Sequence, residues 1–225
     1  PVEGLAPSFS DRPEVAKQGT DPVQAQVGAK APPFMLELFC GTAGVCAQFR
    51  TLGGRAIGVD HHLKRASLKA AAVKLDLTQV WVQELIIREV QLGRIDCVHL
   101  GPPCGTASKA RNIPIKRKLI KKGAPNPQPL RSSTHPLGFP WLKGINRAKV
   151  LAANCLYEFS AKLILICNSH DVLFTVENPQ NSLLWETPFF AKILDHFFFM
   201  WWMLASMDQN TRKQQHSLRI LMRPD

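Results

Sequence analysis

Short apolar runs alternate with amphipathic segments from residue 34 onward. The run Phe34–Phe39 predicts a strand, and a helix over about 45–52 follows and ends at Gly53-Gly54. Arg55–Asp60 predicts a second strand, and the next predicted helix covers about 63–72. Each apolar run is short enough for a strand, and each amphipathic segment is long enough to cover one face of a sheet.

The same alternation continues to the end of the chain. The predicted elements are a strand at 73–77, a helix at about 79–92 capped by Thr78, a strand at 95–100, a helix at about 147–168, a strand at 171–176, a helix at about 182–194, a strand at 197–204 and a short piece at 218–222. Alternating strands and helices indicate right-handed crossovers. The predicted fold is α/β, with a doubly wound, mostly parallel seven-stranded sheet.

Two segments depart from this rhythm. Residues 1–33 are proline-rich with mixed charge and little apolar pattern, which is typical of a linker or a disordered tail. Residues 34–225 form the predicted catalytic domain, and a long Pro- and Gly-rich loop interrupts it at about 105–146. A loop of this length inside a compact domain is usually functional or disordered.

The net charge of +11 is concentrated in and just after that loop. Between Gly105 and Val150 there are eleven basic residues and no acidic one. One interpretation is a solvated basic loop, and the other is a surface that binds a phosphate backbone. The candidate contacts to nucleic acid are Lys109, Arg111, Lys116, Arg117, Lys118, Lys121 and Lys122.

The six cysteines show neither a Cys-x-x-Cys pair nor zinc spacing, so they predict a reducing compartment and no metal site. No signal peptide precedes residue 34, and the apolar run 197–204 is shorter than the roughly 20 residues that a bilayer requires. We therefore expect an intracellular protein without membrane association, nuclear if it is eukaryotic and cytoplasmic otherwise. The sequence leaves the oligomeric state open.

Residues suited to chemistry fall at successive strand ends, where doubly wound sheets bind ligands. They are Gly41, Gly44, Asp60, Asp76, Cys104 and Glu177. Each has an ordinary alternative: a tight turn for the glycines, an exposed turn or a helix start for the aspartates, and an ion pair with a basic residue for Glu177.

The stretch Gly101-Pro102-Pro103-Cys104 is the most informative of these strand ends. Two prolines stiffen the turn and remove two donors, which places the thiol on a fixed support. A thiolate at Cys104 beside a carboxyl group at Glu177 would form a covalent catalytic pair. The alternative is that Cys104 is one more small buried thiol.

Taken together, the motifs resemble the DNA cytosine-5 methyltransferase family, over about residues 34–222. The resemblance rests on Phe39-x-Gly41…Gly44, Asp60, Asp76, Pro102-Pro103-Cys104-x-x-x-Ser108 and Glu177-Asn178. The segment Gln209-Asn210-Thr211-Arg212 loosely resembles the family's late Gln-x-Arg. The implied fold is the Rossmann-like fold of class I methyltransferases.

The resemblance also implies a cofactor, S-adenosyl-L-methionine, and a role for each matching residue. Phe39, Gly41, Gly44 and Pro102 would shape the cofactor site, Asp60 would hold the ribose and Asp76 the adenine. Cys104 would attack carbon 6 of a flipped-out cytosine, Glu177 would hold the N3 side of the ring, and Arg212 would complete the catalytic set.

The sequence departs from the family at Ala43, Gly105 and Pro179, where glycine, glutamine and valine are common. The chain also leaves no room for the usual target-recognition region. The alternatives are a catalytically inactive nucleic-acid-binding module of a larger or mobile-element protein, or a methyltransferase that acts on cytosine in RNA. The basic excess argues against a small-molecule methyltransferase.

Overall fold

The computed structural model describes residues 31–114, 127–194, 198–203 and 217–222. Its strands are β1 Phe34–Leu38, β2 Arg55–Asp60, β3 Ala72–Lys74, β4 Cys97–Leu100, β5 Leu173–Pro179, β6 Phe198–Met203 and β7 Ser217–Met222. Its helices are α1 Gly44–Thr51, α2 Val80–Gln91, α3 Gly144–Ser169 and α4 Pro188–Ala191.

The strands form one sheet in the order β3-β2-β1-β4-β5-β7-β6. The first five strands along the chain are all parallel, with β1 between β2 and β4. Strand β7 pairs antiparallel with β5, and β6 pairs antiparallel with β7. The predicted α/β class and the predicted parallel sheet are confirmed for β1 to β5.

Helices cover both faces of the parallel strands, which makes the sheet doubly wound. On one face Leu38, Val98 and Val176 belong to a core completed by α2 and α3. On the other face Met35 and Ala56 pack with Cys46 of α1. Because successive strand residues point to opposite faces, each of these two cores takes alternate residues of β1.

The prediction of a helix at about 63–72 is wrong. Only a short 3₁₀ turn forms there, at Arg65–Ser67. Neighbouring elements use the backbone groups instead: the Lys69 N–H donates to Thr42 O at 2.8 Å, and Ala71 O accepts from the Gly58 N–H at 2.9 Å. These long-range hydrogen bonds replace the helical ones that the alanine-rich sequence favours.

The prediction of a helix at about 182–194 is also wrong, since only the four residues of α4 are α-helical in that range. Pro188 interrupts the predicted helix because proline lacks the N–H that an interior helical turn requires. It stands instead at the start of α4. Before it, the Leu183 N–H donates to Ala107 O at 2.9 Å, which ties this segment to the turn after β4.

Strand β5 runs further than the sequence predicted. It includes Glu177 and Asn178, which were expected beyond its end, because these residues pair with Ile220 and Arg219 of β7. Helix α3 is likewise longer than predicted. By length and composition α3 could cross a membrane, with a mean hydropathy of 1.6, but half of its most apolar window is buried, as in the core helix of a globular domain.

Gly58 allows β2 to pack closely against the turn that follows β1. A Cβ atom at this position would lie 2.7 Å from Cys40 Sγ, 2.9 Å from Cys40 Cβ and 3.3 Å from Ala43 Cβ.

We expect Gly58→Ala to lower the free energy of unfolding by about 1–3 kcal/mol through overpacking, measured by urea denaturation. Gly44→Ala is the matched control, since its Cβ would meet only Thr42 Oγ1 at 3.9 Å. Equal stability of the two variants would contradict the prediction.

Candidate functional site

The turn between β1 and α1 holds three residues in the left-handed region. Their φ angles are 60° at Phe39, 53° at Gly41 and 56° at Ala43. Only glycine adopts this region without strain, and each other residue there costs about 1–3 kcal/mol. Ala43, which stands where the sequence analysis expected glycine, therefore carries local backbone strain. Strain of this kind clusters at ligand sites.

Asp60, at the tip of β2, holds this turn in place. Its Oδ2 accepts a hydrogen bond from the Gly41 N–H at 3.0 Å, and its Oδ1 accepts one from the His62 N–H at 3.0 Å. His61 Nδ1 lies 3.1 Å from the same Oδ1. Asp60 therefore positions the turn, and a ligand hydroxyl would use the lone pairs that remain.

Glu37 is a site residue that the sequence analysis missed, because it reads as one polar residue in an apolar strand. Its side chain is buried, and its Oε2 accepts a hydrogen bond of 2.6 Å from the Cys46 N–H in the first turn of α1. Its charge therefore lies at the positive end of the helix dipole. Burial, followed by the charges of Glu37 and Asp60, raises the pKa of Cys40 to about 11.

A cavity of about 300 Å³ opens beside Phe39 and Asp76. Asp76 Oδ1 accepts from the Thr78 N–H at 2.9 Å and from Thr78 Oγ1 at 2.7 Å, and its Oδ2 accepts from Gln79 Nε2 at 3.2 Å. The backbone hydrogen bond from Thr78, followed by that of its hydroxyl, holds the pKa of Asp76 below its usual range. The remaining lining residues are His61, Leu77, Thr78, Ala152 and Leu156.

The structure thus divides the predicted cofactor residues into two groups. Phe39 and Asp76 line the cavity, whereas Gly41 and Asp60 shape the turn that follows Phe39. Gly44 begins α1, and Pro102 is buried at the end of β4. The predicted clustering of these residues at one edge of the sheet follows from the parallel order of β1 to β4.

The Pro-Pro-Cys turn is held through its carbonyl groups, since its prolines have no N–H to donate. Pro102 O accepts a hydrogen bond of 2.7 Å from Asn178 Nδ2, and Pro103 O accepts one of 2.7 Å from the Tyr157 hydroxyl. Cys104 is half-buried and opens a 3₁₀ turn that ends at Thr106. The sequence analysis quoted Asn178 without a role and did not identify Tyr157.

Asn178 carries an unused acceptor at this point. The residue is 2% exposed, and its Oδ1 has no hydrogen-bond partner within the part of the chain that the structure describes. Its neighbour Glu177 points to the opposite face of β5, because side chains alternate along a strand. The C-terminal part of β5 therefore supports the cysteine turn through Asn178 on one face of the sheet and presents the Glu177 carboxylate on the other face.

Arg131 also supports the cysteine turn, and it is only 2% exposed. Its Nε and Nη2 donate to Thr106 Oγ1 at 3.2 and 3.0 Å, and its Nη1 donates at 2.6 Å both to Pro136 O and to Asn154 Oδ1. Its Nη2 also donates to Val150 O at 3.3 Å. The acceptors are all neutral, and burial lowers the pKa of Arg131. Arg131 is one of the eleven basic residues counted between Gly105 and Val150, and because it is buried, neither a solvated loop nor a phosphate-binding surface describes it.

Glu177 belongs to a polar row that crosses the sheet. Its Oε2 lies 3.8 Å from His99 Nε2, and His99 Nδ1 lies 2.7 Å from Thr175 Oγ1. Glu37 is the neighbour of His99 on β1. Burial lowers the pKa of His99, and the charges of Glu177 and Glu37 oppose this shift. Glu177 lies within β5 and Cys104 lies four residues beyond the end of the adjacent strand β4. No hydrogen bond joins their side chains among the described contacts.

Two of the predicted nucleic-acid contacts lie in the described part of the chain. Lys109 is exposed. Arg111 is half-buried and donates from Nε to Gln128 O at 2.9 Å and from Nη1 to Gly105 O at 3.1 Å, so it connects the start of the basic loop with a later part of the same loop. The candidates that lie outside the described residues are Lys116, Arg117, Lys118, Lys121, Lys122 and Arg212.

Four of the six cysteines are held as neutral thiols. Burial raises the pKa of Cys46, raises that of Cys40 and of Cys97 to about 11, and raises that of Cys167 to about 12. All six are free, and within the described ranges no group of three or more His, Cys, Asp or Glu side chains could hold a metal ion. Cys104 differs from those four in its place on a half-buried turn beyond a strand end.

Neither a protein-family model nor a curated protein matches this chain. It is structurally similar to S-adenosylmethionine-dependent methyltransferases with a Rossmann-like fold. A TehB-like methyltransferase from Corynebacterium glutamicum matches 88% of this chain and 83% of its own, with 10% identity and a TM-score of 0.37. One from Archaeoglobus fulgidus matches 86% and 87%, with 13% identity and a TM-score of 0.36.

WbdD matches 84% of this chain with 9% identity and a TM-score of 0.40, and the match spans 35% of the WbdD chain. Superpositions this loose identify neither an activity nor a substrate. The five-stranded parallel sheet and the positions of the site residues must therefore carry the functional argument.

Replacing Arg131 tests its role under the cysteine turn. Lysine offers three donors in place of five and would leave buried acceptors unpaired, so we expect Arg131→Lys to lower the free energy of unfolding by about 3 kcal/mol. Arg111→Lys is the control, since Arg111 is half-buried, and should cost about 1 kcal/mol. Denaturant titration measures both variants, and equal losses would contradict the assigned role.

The His99 shift predicts a pH dependence of stability. With its pKa lower in the folded chain, the unfolded chain binds more protons once the pH falls below about 6.5, so stability is lost there. We expect His99→Gln to lose less stability than the wild type between about pH 8 and pH 5. Parallel stability curves for the two proteins would show that His99 does not contribute.

Proposed function

We propose that this chain is an S-adenosylmethionine-dependent methyltransferase domain that acts on carbon 5 of cytosine in DNA through a covalent adduct at Cys104. One observation carries the proposal. The strained turn and the Phe39–Asp76 cavity lie at the same edge of the parallel sheet as a cysteine turn fixed from several sides. A cofactor and a nucleophile would meet at that edge.

The charges around the turn suit this cofactor better than a dinucleotide. Glu37 caps the start of α1, where a pyrophosphate would otherwise bind, and Asp60 occupies the Gly41 N–H. Two carboxylates would repel phosphate and attract a sulfonium cation. Phe39 would pack against the adenine, Asp76 would accept from its amino group, and Asp60 would accept from the ribose hydroxyls.

The bound cofactor would supply an electrophilic methyl group. The Cys104 thiolate would form a bond to carbon 6 of a cytosine that has left the base stack. Glu177 would donate a proton or a hydrogen bond at N3, which places the released electron pair on carbon 5. Carbon 5 would take the methyl group as the bond between that group and the cofactor's sulfur breaks, which leaves S-adenosylhomocysteine. Loss of the carbon-5 proton and of the thiolate, with return of the N3 proton to Glu177, would then restore the aromatic ring and free Cys104.

A second candidate is a nucleic-acid-binding module that has lost catalysis. It is favoured by the engagement of both Asp60 oxygens inside the turn and by the lack of a described hydrogen bond between Cys104 and Glu177. RNA in place of DNA would keep the same chemistry, because the reacting atoms of cytosine are identical. The partner therefore needs an experiment that compares the two nucleic acids.

Covalent trapping tests the nucleophile. The chain is incubated with S-adenosylmethionine and 5-fluorocytosine-containing DNA or RNA, because fluorine blocks the final proton loss and retains the adduct. We expect a denaturation-resistant adduct in the wild type and none in Cys104→Ala, which lacks the thiol. Cys155→Ala is the matched control, because Cys155 is also half-buried and should trap normally.

Two outcomes would contradict the proposal. Equal trapping by Cys104→Ala would exclude Cys104 as the nucleophile. A wild type that binds neither S-adenosylmethionine nor S-adenosylhomocysteine in calorimetry, and forms no adduct, would favour the non-catalytic module. Trapping on RNA alone would change the substrate and keep the mechanism.

A further inference from the structure

An aromatic cluster lies at the surface in the last part of the basic loop, just before α3. The Phe139 and Trp141 rings stack with centroids 4.7 Å apart and planes 10° apart. The His135 ring lies 5.7 Å from each of them. Trp141 is 64% exposed, so most of this large aromatic side chain faces solvent although it stacks on Phe139.

The segment beneath the cluster is fixed, which makes this exposure a property of the fold. Arg131 Nη1 donates to Pro136 O, and Asn154 Nδ2 donates to Leu137 O at 2.9 Å. Gly138 has a φ of 108° and lies so close to α3 that a Cβ would be 2.5 Å from Val150 Cγ1. A rigid aromatic surface binds a flat ligand with little loss of conformational entropy.

The charged residues next to the cluster in the sequence are all basic. Lys143, Arg147 and Lys149 follow it and are exposed. No acidic residue occurs between Asp96 and Glu158. Proteins that bind single-stranded nucleic acid combine these features: aromatic rings stack on bases, and basic side chains bind the phosphates.

We propose that His135, Phe139 and Trp141 form a stacking surface for unpaired bases, and that Lys143 and Arg147 bind phosphates of the same strand. A duplex would offer phosphates but keep its base faces stacked within the helix, so the preferred ligand is single-stranded. The inference rests on the nucleic-acid partner of the proposed function, but not on methyl transfer.

The test measures the binding of the full chain to fluorescein-labelled oligothymidylate of about 15 nucleotides, by anisotropy and without cofactor. Trp141→Leu keeps an apolar side chain but loses the aromatic face. We expect it to bind about tenfold more weakly, and we expect Trp141→Phe to stay within about threefold of the wild type. A duplex of equal length should show little difference between the variants.

Trp81→Leu is the matched control. Trp81 is 59% exposed on α2, a helix whose one basic residue is Arg88, and its replacement should leave binding unchanged. In Lys143→Ala and Arg147→Ala the slope of log affinity against log salt should fall in magnitude by about 0.7 each, the value for one phosphate contact on a single strand. Unchanged thermal unfolding of Trp141→Leu would show that a loss of binding is local.

The proposal is overturned if Trp141→Leu binds like the wild type, if Trp81→Leu loses as much, or if no labelled strand binds at all. Covalent trapping is measured separately, so failure of the methyltransferase proposal would leave a positive strand-binding result intact.

Discussion

The buried guanidinium of Arg131 is the contact on which the functional edge of this domain depends. Its N–H groups donate to Thr106 at the end of the cysteine turn, to Pro136 in the loop before α3 and to two residues of α3. All of these acceptors are neutral. A buried cation is costly unless its hydrogen bonds are satisfied. The arrangement therefore fixes two neighbouring parts of the molecule at once, the Cys104 turn and the aromatic cluster.

The opposite half of the site is organised by carboxylates. Glu37 caps α1 from within the sheet, Asp60 holds the glycine turn, and Asp76 holds the turn at Thr78 that precedes α2. Structural and binding roles fall on the same residues, since a carboxylate has several lone pairs and these hydrogen bonds leave some of them free. This explains how aspartates that look like ordinary turn residues can also line a ligand cavity.

The sequence predicted the parallel strands β1 to β5, because alternating apolar runs are a local signal. The roles of the site residues stay predictions. The sequence failed at 63–72 and 182–194, where helical composition was overridden by hydrogen bonds to distant segments and by Pro188. The sequence also contained no sign that Arg131 is buried, because charge counted along a chain carries no information about burial.

The sequence alone determined the α/β class, the glycine turn, the Pro-Pro-Cys stretch and the concentration of positive charge, since each is written in neighbouring residues. Tertiary structure alone decided which side chains support them. Asn178 and Tyr157 reach the proline carbonyls from β5 and α3, and His99 meets Thr175 across two strands. Such partners are set by sheet register and helix packing, which join residues far apart in the chain.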